Sequence, residues 1–104
     1  MRTLMTVRIP TVKGNAALKD GSLQRTLGAF MDEQKPEAAY FTVSPDGERS
    51  AVFVFDMADS STIVAVSEPF FTELEAKITI APVMNVEDLT TGLKQLDGAL
   101  AAPA

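Results

Sequence analysis

The chain has 104 residues, 46% hydrophobic and 22% charged, with nine basic residues against fourteen acidic ones and a net charge of −5. That length holds one core and not two, the composition lies outside the disordered regime, and the acid excess offers no basic field to a phosphate backbone, so nucleic acid is excluded as a partner. Cysteine and histidine are both absent, which removes disulfides, thiolate and imidazole catalysis, zinc and iron–sulfur ligation, and histidine-held haem.

The first residues, Met1 to Arg8, are broken by charge before an apolar run can build. They form neither a signal peptide nor a membrane span, and a cytoplasmic location is expected. From Thr3 to Ile9 the residues alternate, Met5, Val7 and Ile9 on one side and Leu4, Thr6 and Arg8 on the other, and Pro10 closes this first strand. Lys13-Gly14-Asn15 lacks the rest of a phosphate loop and reads as a turn. Leu23, Leu27, Phe30, Met31 and Gln34 then mark one face of a helix ended by Lys35-Pro36. Its start stays open between a cap at Ser22 and an earlier beginning near Asn15 that tolerates Gly21.

Ala39–Val43 and Ser50–Asp56 are strand-like runs joined across Pro45-Asp46-Gly47, the chemistry of a type I turn with a glycine bulge. That turn pairs Ser44 with Glu48, and hence Thr42 with Ser50, Phe41 with Ala51, Tyr40 with Val52 and Ala39 with Phe53. Ala39, Phe41, Val43, Ala51, Phe53 and Phe55 then share a face. After Asp59-Ser60-Ser61, read as a cap, Ile63, Val66, Phe70 and Leu74 mark a second helical face. Pro69 inside it is expected to kink the helix or restart it, with Ser67 capping the second segment. At least one of Phe70 and Phe71 belongs to the core.

Ile78 to Ile80 alternate as a fourth, edge strand ended by Pro82. Asn85-Val86-Glu87-Asp88 has the form of a capping box opening a last helix with Leu89, Leu93 and Leu96 on one side. A single domain over residues 1–98 is expected, with a flexible tail from Ala99 to Ala104. The order β-α-β-β-α-β plus a terminal helix is that of the ferredoxin-like α+β fold, with both helices on one face of an antiparallel sheet.

If the helices cover Met5, Val7, Ile9, Phe41, Phe53 and Phe55, the opposite face carries Leu4, Thr6, Arg8, Tyr40, Thr42, Val52, Val54 and Asp56. Such a face is too apolar for water and predicts a homodimer that meets through Leu4, Thr6, Tyr40, Val52 and Val54. The competing view is a sheet face that tolerates scattered apolar residues. At this point the chain resembles the dimeric α+β barrel superfamily. The resemblance is carried by the order of elements and by Lys35-Pro36-Glu37-Ala38-Ala39-Tyr40-Phe41, Phe55-Asp56-Met57, Glu68-Pro69-Phe70-Phe71 and Ala81-Pro82-Val83-Met84 followed by Glu87-Asp88-Leu89. Within the superfamily these segments are similar to small bacterial proteins without an assigned reaction. The resemblance implies two ferredoxin-like subunits packed sheet to sheet around a mixed cavity.

The candidate ligand-binding residues are Arg8, Tyr40, Thr42, Asp56 and Glu68. In one reading Arg8 fixes a carboxylate, enolate or phenolate and Tyr40 donates a hydrogen bond or proton. In the other Arg8 pairs internally with Asp56 or another carboxylate, and Tyr40 is a packed interface aromatic. Glu68, before Pro69, is either a base at the cavity mouth or a helix-end charge. Asp32-Glu33 and Glu73-Leu74-Glu75 follow no metal pattern. No cofactor and no metal are expected. The functional expectation is binding of a small organic acid or aromatic between two sheets. The alternatives are a cofactor-independent enzyme, monooxygenase-like or isomerase-like, acting in the same cavity, or a non-catalytic structural or accessory subunit.

Overall fold

The structure, a computed structural model, describes the backbone of residues 1–101 and the side chains of residues 1–96. The elements in order are β1 (Arg2–Ile9), α1 (Thr11–Asp20), α2 (Ser22–Gln34), β2 (Ala38–Val43), β3 (Arg49–Asp56), α3 (Thr62–Leu74), β4 (Lys77–Pro82) and α4 (Val86–Ala101). The four strands form one antiparallel sheet in the order β2-β3-β1-β4. That order is the ferredoxin-like one, with β1 and β3 as the central pair and β2 and β4 at the edges.

The β2–β3 register is the one the turn dictates: Thr42 opposite Ser50, Phe41 opposite Ala51, Tyr40 opposite Val52 and Ala39 opposite Phe53. Gly47 takes φ 89°, the left-handed conformation that closes the turn, and Ser44 N–H donates to the Glu48 carbonyl at 2.8 Å. Along β1, burial alternates residue by residue, with Thr3, Met5, Val7 and Ile9 buried. Phe53 and Phe55 of β3 face the same way. The helices supply Phe30 from α2 and Phe70 from α3, whose rings lie 4.4 Å and 6.4 Å from Phe53 and 5.6 Å from each other, an aromatic cluster at the centre of the core.

Several expectations from sequence are corrected. Lys13-Gly14-Asn15 is not a turn but part of α1, whose only buried residues are Gly14 and Ala17. Gly14 packs closely there: a Cβ would stand 2.7 Å from Arg49 Nη1, the movable end of that side chain, and 3.1 Å from Ile9 Cγ2, because α1 lies directly on the sheet end. Gly21, at φ 86°, breaks α1 from α2, so Ser22 opens α2 as a buried helical residue and does not cap it. α3 runs as one helix through Pro69, which does not restart it, and Ser67 is an interior, buried residue and no cap. Pro69 and Ala65, whose carbonyl loses its helical donor, both lie on the exposed side, so water can satisfy the orphaned oxygen. At the start of α3, Asp59 accepts from the Ser61 N–H at 2.9 Å, and no side chain caps the helix itself.

Burial at the margins is also lower than the pattern predicts. Phe41 and Val43 on edge strand β2 stay exposed, although Phe41 stands beside Leu23 and Leu27 of α2, and Ile63 at the start of α3 is 40% exposed. The capping box of α4 is formed reciprocally, Asp88 N–H to Asn85 Oδ1 at 2.8 Å and Asn85 N–H to Asp88 Oδ2 at 3.1 Å. The helix continues through Ala101, past Ala99 where a tail was expected, and residues 102–104 lie outside the described residues.

Candidate functional site

Strand alternation places a second set of side chains on the face away from the α1–α3 layer. Reading across the sheet from β4 to β2, this open face consists of the rows Ala81-Leu4-Val54-Ala38, Thr79-Thr6-Val52-Tyr40 and Lys77-Arg8-Ser50-Thr42. Leu4, Thr6, Val52 and Val54 are half-buried by one another, whereas Tyr40 and Thr42 are exposed. The middle is apolar and the two ends are charged.

At one end Arg8 is held by the turn that joins β2 to β3. Its Nη2 donates to Asp46 Oδ1 and lies 3.7 Å from Glu48 Oε1. Ser44 Oγ also donates to Asp46, and the Glu48 N–H donates to Ser44 Oγ at 3.0 Å. The Ser44 hydroxyl first, and Arg8 second, lower the Asp46 carboxyl below its ordinary value. Arg8 is one third exposed, and its Nε is buried without an acceptor. Its internal anion is therefore Asp46, backed by Glu48, and not Asp56.

Asp56 sits at the opposite end, across from Arg2, six residues along β3 from the Ser50 that faces Arg8. At the rise of an antiparallel strand that separation is about 20 Å. The Met1 ammonium binds Asp56 and holds its carboxyl below the usual range, with Arg2 contributing less. Arg2 bridges Glu37 at 2.6 Å and Asp88 at 3.2 Å, and the hydrogen bond to Glu37 is the main cause of its raised pKa. Glu68 stands exposed on α3 beside Ile78 and Ile80, in the helix layer on the other side of the sheet, so it does not front the first turn of a restarted helix.

The structure thus brings Arg8, Thr42 and Tyr40 to neighbouring positions on the open face and leaves Asp56 and Glu68 apart from them. Sequence reasoning missed Asp46, Glu48 and Ser44. The signal was present in the register, since Arg8 opposite Ser50 makes Glu48 its diagonal neighbour on the same face. Among the described residues no group of three acidic side chains is arranged to hold a metal ion, and no helix is long and apolar enough to cross a membrane.

No family model and no curated protein matches the sequence. Among solved structures, the chain is similar to the de novo designed protein Ferredog-Diesel, with a TM-score of 0.48 and 10% identity over 79% of this chain and 85% of that one. It is similar to a candidate antibiotic biosynthesis monooxygenase from Deinococcus radiodurans, with a TM-score of 0.46 and 11% identity over 83% and 95% of the two chains. A candidate monooxygenase from Shewanella loihica PV-4 gives a TM-score of 0.42 and 16% identity over 82% and 95%. The ferredoxin-like assignment itself rests on the strand order and register described above.

Proposed function

We propose that the protein works as a homodimer in which two open sheet faces meet and enclose a small, mostly apolar organic ligand, an aromatic with a carbonyl, hydroxyl or carboxylate group. The observation that carries this reading is the open face itself: Leu4, Val52 and Val54 at its centre, and Arg8, Lys77, Arg2 and Asp56 at its ends. An apolar centre inside a polar rim is the anatomy of a protein interface. Tyr40, 68% exposed on an edge strand, has an apolar ring and a polar tip with nothing of its own chain to cover them.

Binding is favoured over catalysis. General acid–base work at neutral pH needs groups displaced toward neutrality, and Asp46 and Asp56, the two carboxylates displaced at the ends of this face, both move down. Arg8 is neutralised by Asp46 and Glu48, which leaves the Tyr40 hydroxyl and the Thr6, Thr42 and Thr79 hydroxyls to orient a ligand.

The test is sedimentation of wild type and Val54→Lys, followed by calorimetric titration of both with salicylate and 1-naphthol. A dimeric wild type that binds one of the two, and a folded Val54→Lys monomer that binds neither, are expected. A monomeric wild type, or a Val54→Lys dimer of unchanged affinity, sinks the sheet-to-sheet contact. A dimer that binds neither probe sinks the ligand reading and leaves the contact standing.

A further inference from the structure

The C-terminal helix α4 is the least integrated part of the molecule. Val86, Leu89, Leu93 and Leu96 follow the spacing of a single helical face, and all four are exposed. A compact chain of this length has a radius of gyration of about 13 Å. The observed value is 17.5 Å, with extents of 64 × 28 × 20 Å, as expected of a helix that stands out from the body. Its start is fixed, by the Asn85–Asp88 capping box, by Val83 N–H donating to the Arg2 carbonyl at 3.1 Å, and by the Arg2–Asp88 ion pair. Arg2 alternates with Leu4, Thr6 and Arg8, so α4 begins on the open-face side of the sheet.

A matching vacancy lies on the other side. Between α3 and β4 the helix layer leaves an apolar groove of two adjoining cavities, of 260 and 430 Å³, which share Ile63 and Ile80. Val64, Phe71 and Ile78 add apolar wall to the smaller cavity beside Glu68, Met57 and Pro82 add it to the larger beside Asp59 and Ser60, and Ser67, with a buried and unpartnered Oγ, lies along the groove. A short connection, Val83 to Asn85, together with the Arg2 tether, holds α4 away from the groove of its own chain.

We infer that α4 is an arm exchanged between two copies of the chain, the Leu93 and Leu96 part of its leucine face seated in the α3–β4 groove of the other copy. Stacked sheets lie about 10 Å apart, and a 16-residue helix is about 24 Å long. An arm leaving one open face therefore passes the edge of the second sheet, and Leu93 and Leu96, about 10 and 15 Å along it, arrive on the far side of that sheet where the groove lies. The area agrees. The open face of one sheet offers a footprint of roughly 400 Å² by its strand spacing and rise, about half of what each partner gives to a standard interface. One arm and one groove per copy add roughly 500 Å² by the helix dimensions, which brings the contact to standard size. The exchange rests on the same pairing of copies as the sheet-to-sheet reading, and element exchange is a low-cost way to build such a dimer.

The absence of cysteine makes the test direct. Full-length chains carrying only Leu93→Cys are mixed with full-length chains carrying only Val64→Cys and oxidised. A covalent heterodimer on a non-reducing gel is expected, and none when Thr91→Cys, on the opposite side of α4, replaces Leu93→Cys. In sedimentation, Leu93→Glu and Ile63→Glu should each raise the dimer Kd at least tenfold. A Leu93→Cys, Val64→Cys double variant that closes within one chain overturns the exchange in favour of a closed monomer arm. A wild-type dimer that gives no heterodimer and keeps its Kd in Leu93→Glu overturns the exchange alone. A monomeric wild type overturns both the exchange and the sheet contact.

Discussion

The two faces of the sheet are written by the same strands, residue by residue, yet they end in different environments. On the covered face, Phe53 and Phe55 meet Phe30 and Phe70 and are sealed from water. On the open face, Val52 and Val54, their immediate neighbours in sequence, remain half-buried. The contrast comes from connectivity and not from hydrophobicity. Both β-α-β crossovers lay their helices on one side, so apolar alternation on the other side is left uncovered by the helices of the chain.

The sharpest way to separate the faces is a pair of adjacent truncations. Phe53→Ala removes the ring at the centre of the aromatic cluster and should lower unfolding free energy by about 3–5 kcal/mol, read by denaturant titration. Val54→Ala, one residue away, should cost the folded chain much less and, under the proposed sheet-to-sheet pairing, weaken self-association in sedimentation. Equal losses of subunit stability at the two positions would mean that the open face is already packed within the chain.

The helix layer offers a change in the opposite sense. Pro69→Ala returns an N–H to the Ala65 carbonyl inside continuous α3 and should raise stability, by up to about 3 kcal/mol. Calorimetry that finds no gain would show that water already satisfies this carbonyl in full.

The smallest effect concerns the charged end of the open face. The Asp46 carboxyl is lowered in the folded chain, so it contributes stability that is present above its unfolded pKa and is lost as pH falls through the folded one. Asp46→Asn should therefore flatten the stability profile in that acidic window and leave its shape near neutrality alone. Carboxyl resonances followed by NMR should show the Asp46 midpoint moving up more in Ser44→Ala than in Arg8→Met, because the serine hydroxyl is the larger cause. The reverse order would place the control of this turn in the ion pair. Arg8→Met itself should shift the unfolding midpoint only slightly, as an exposed pair does.

How far the fold could be read beforehand depended on which residues carry each element. The hairpin register was legible because Pro45, Asp46 and Gly47 admit few turn geometries, and β1 was legible because its alternation is uninterrupted. Helix α1 was hidden since it buries only a glycine and an alanine, which leave no periodic trace of large side chains. The continuity of α3 through Pro69 depends on which side of the helix the ring falls, a fact of packing. At the candidate site, the need of Arg8 for an anion followed from its place on a half-apolar face. The register pointed to Glu48, but Asp46 as the nearer anion followed only from the three-dimensional path of the turn, which carries it back over the sheet end.

Edge strand β2 has a consequence for how the protein behaves in bulk solution. Ala38 to Val43 contains no charged side chain, exposes Tyr40, Phe41 and Val43, and pairs with β3 on one side alone. An uncharged edge of this kind is a template for strand addition, and self-repulsion from the net charge of −5 is what keeps such edges apart near neutrality. Close to the isoelectric point, about pH 4.5, that repulsion vanishes while the hydrogen-bonding edge remains. Colloidal stability is therefore set by a few surface carboxylates and one short strand, and mild acid is the condition in which clear solutions of this protein should turn to fibrous precipitate.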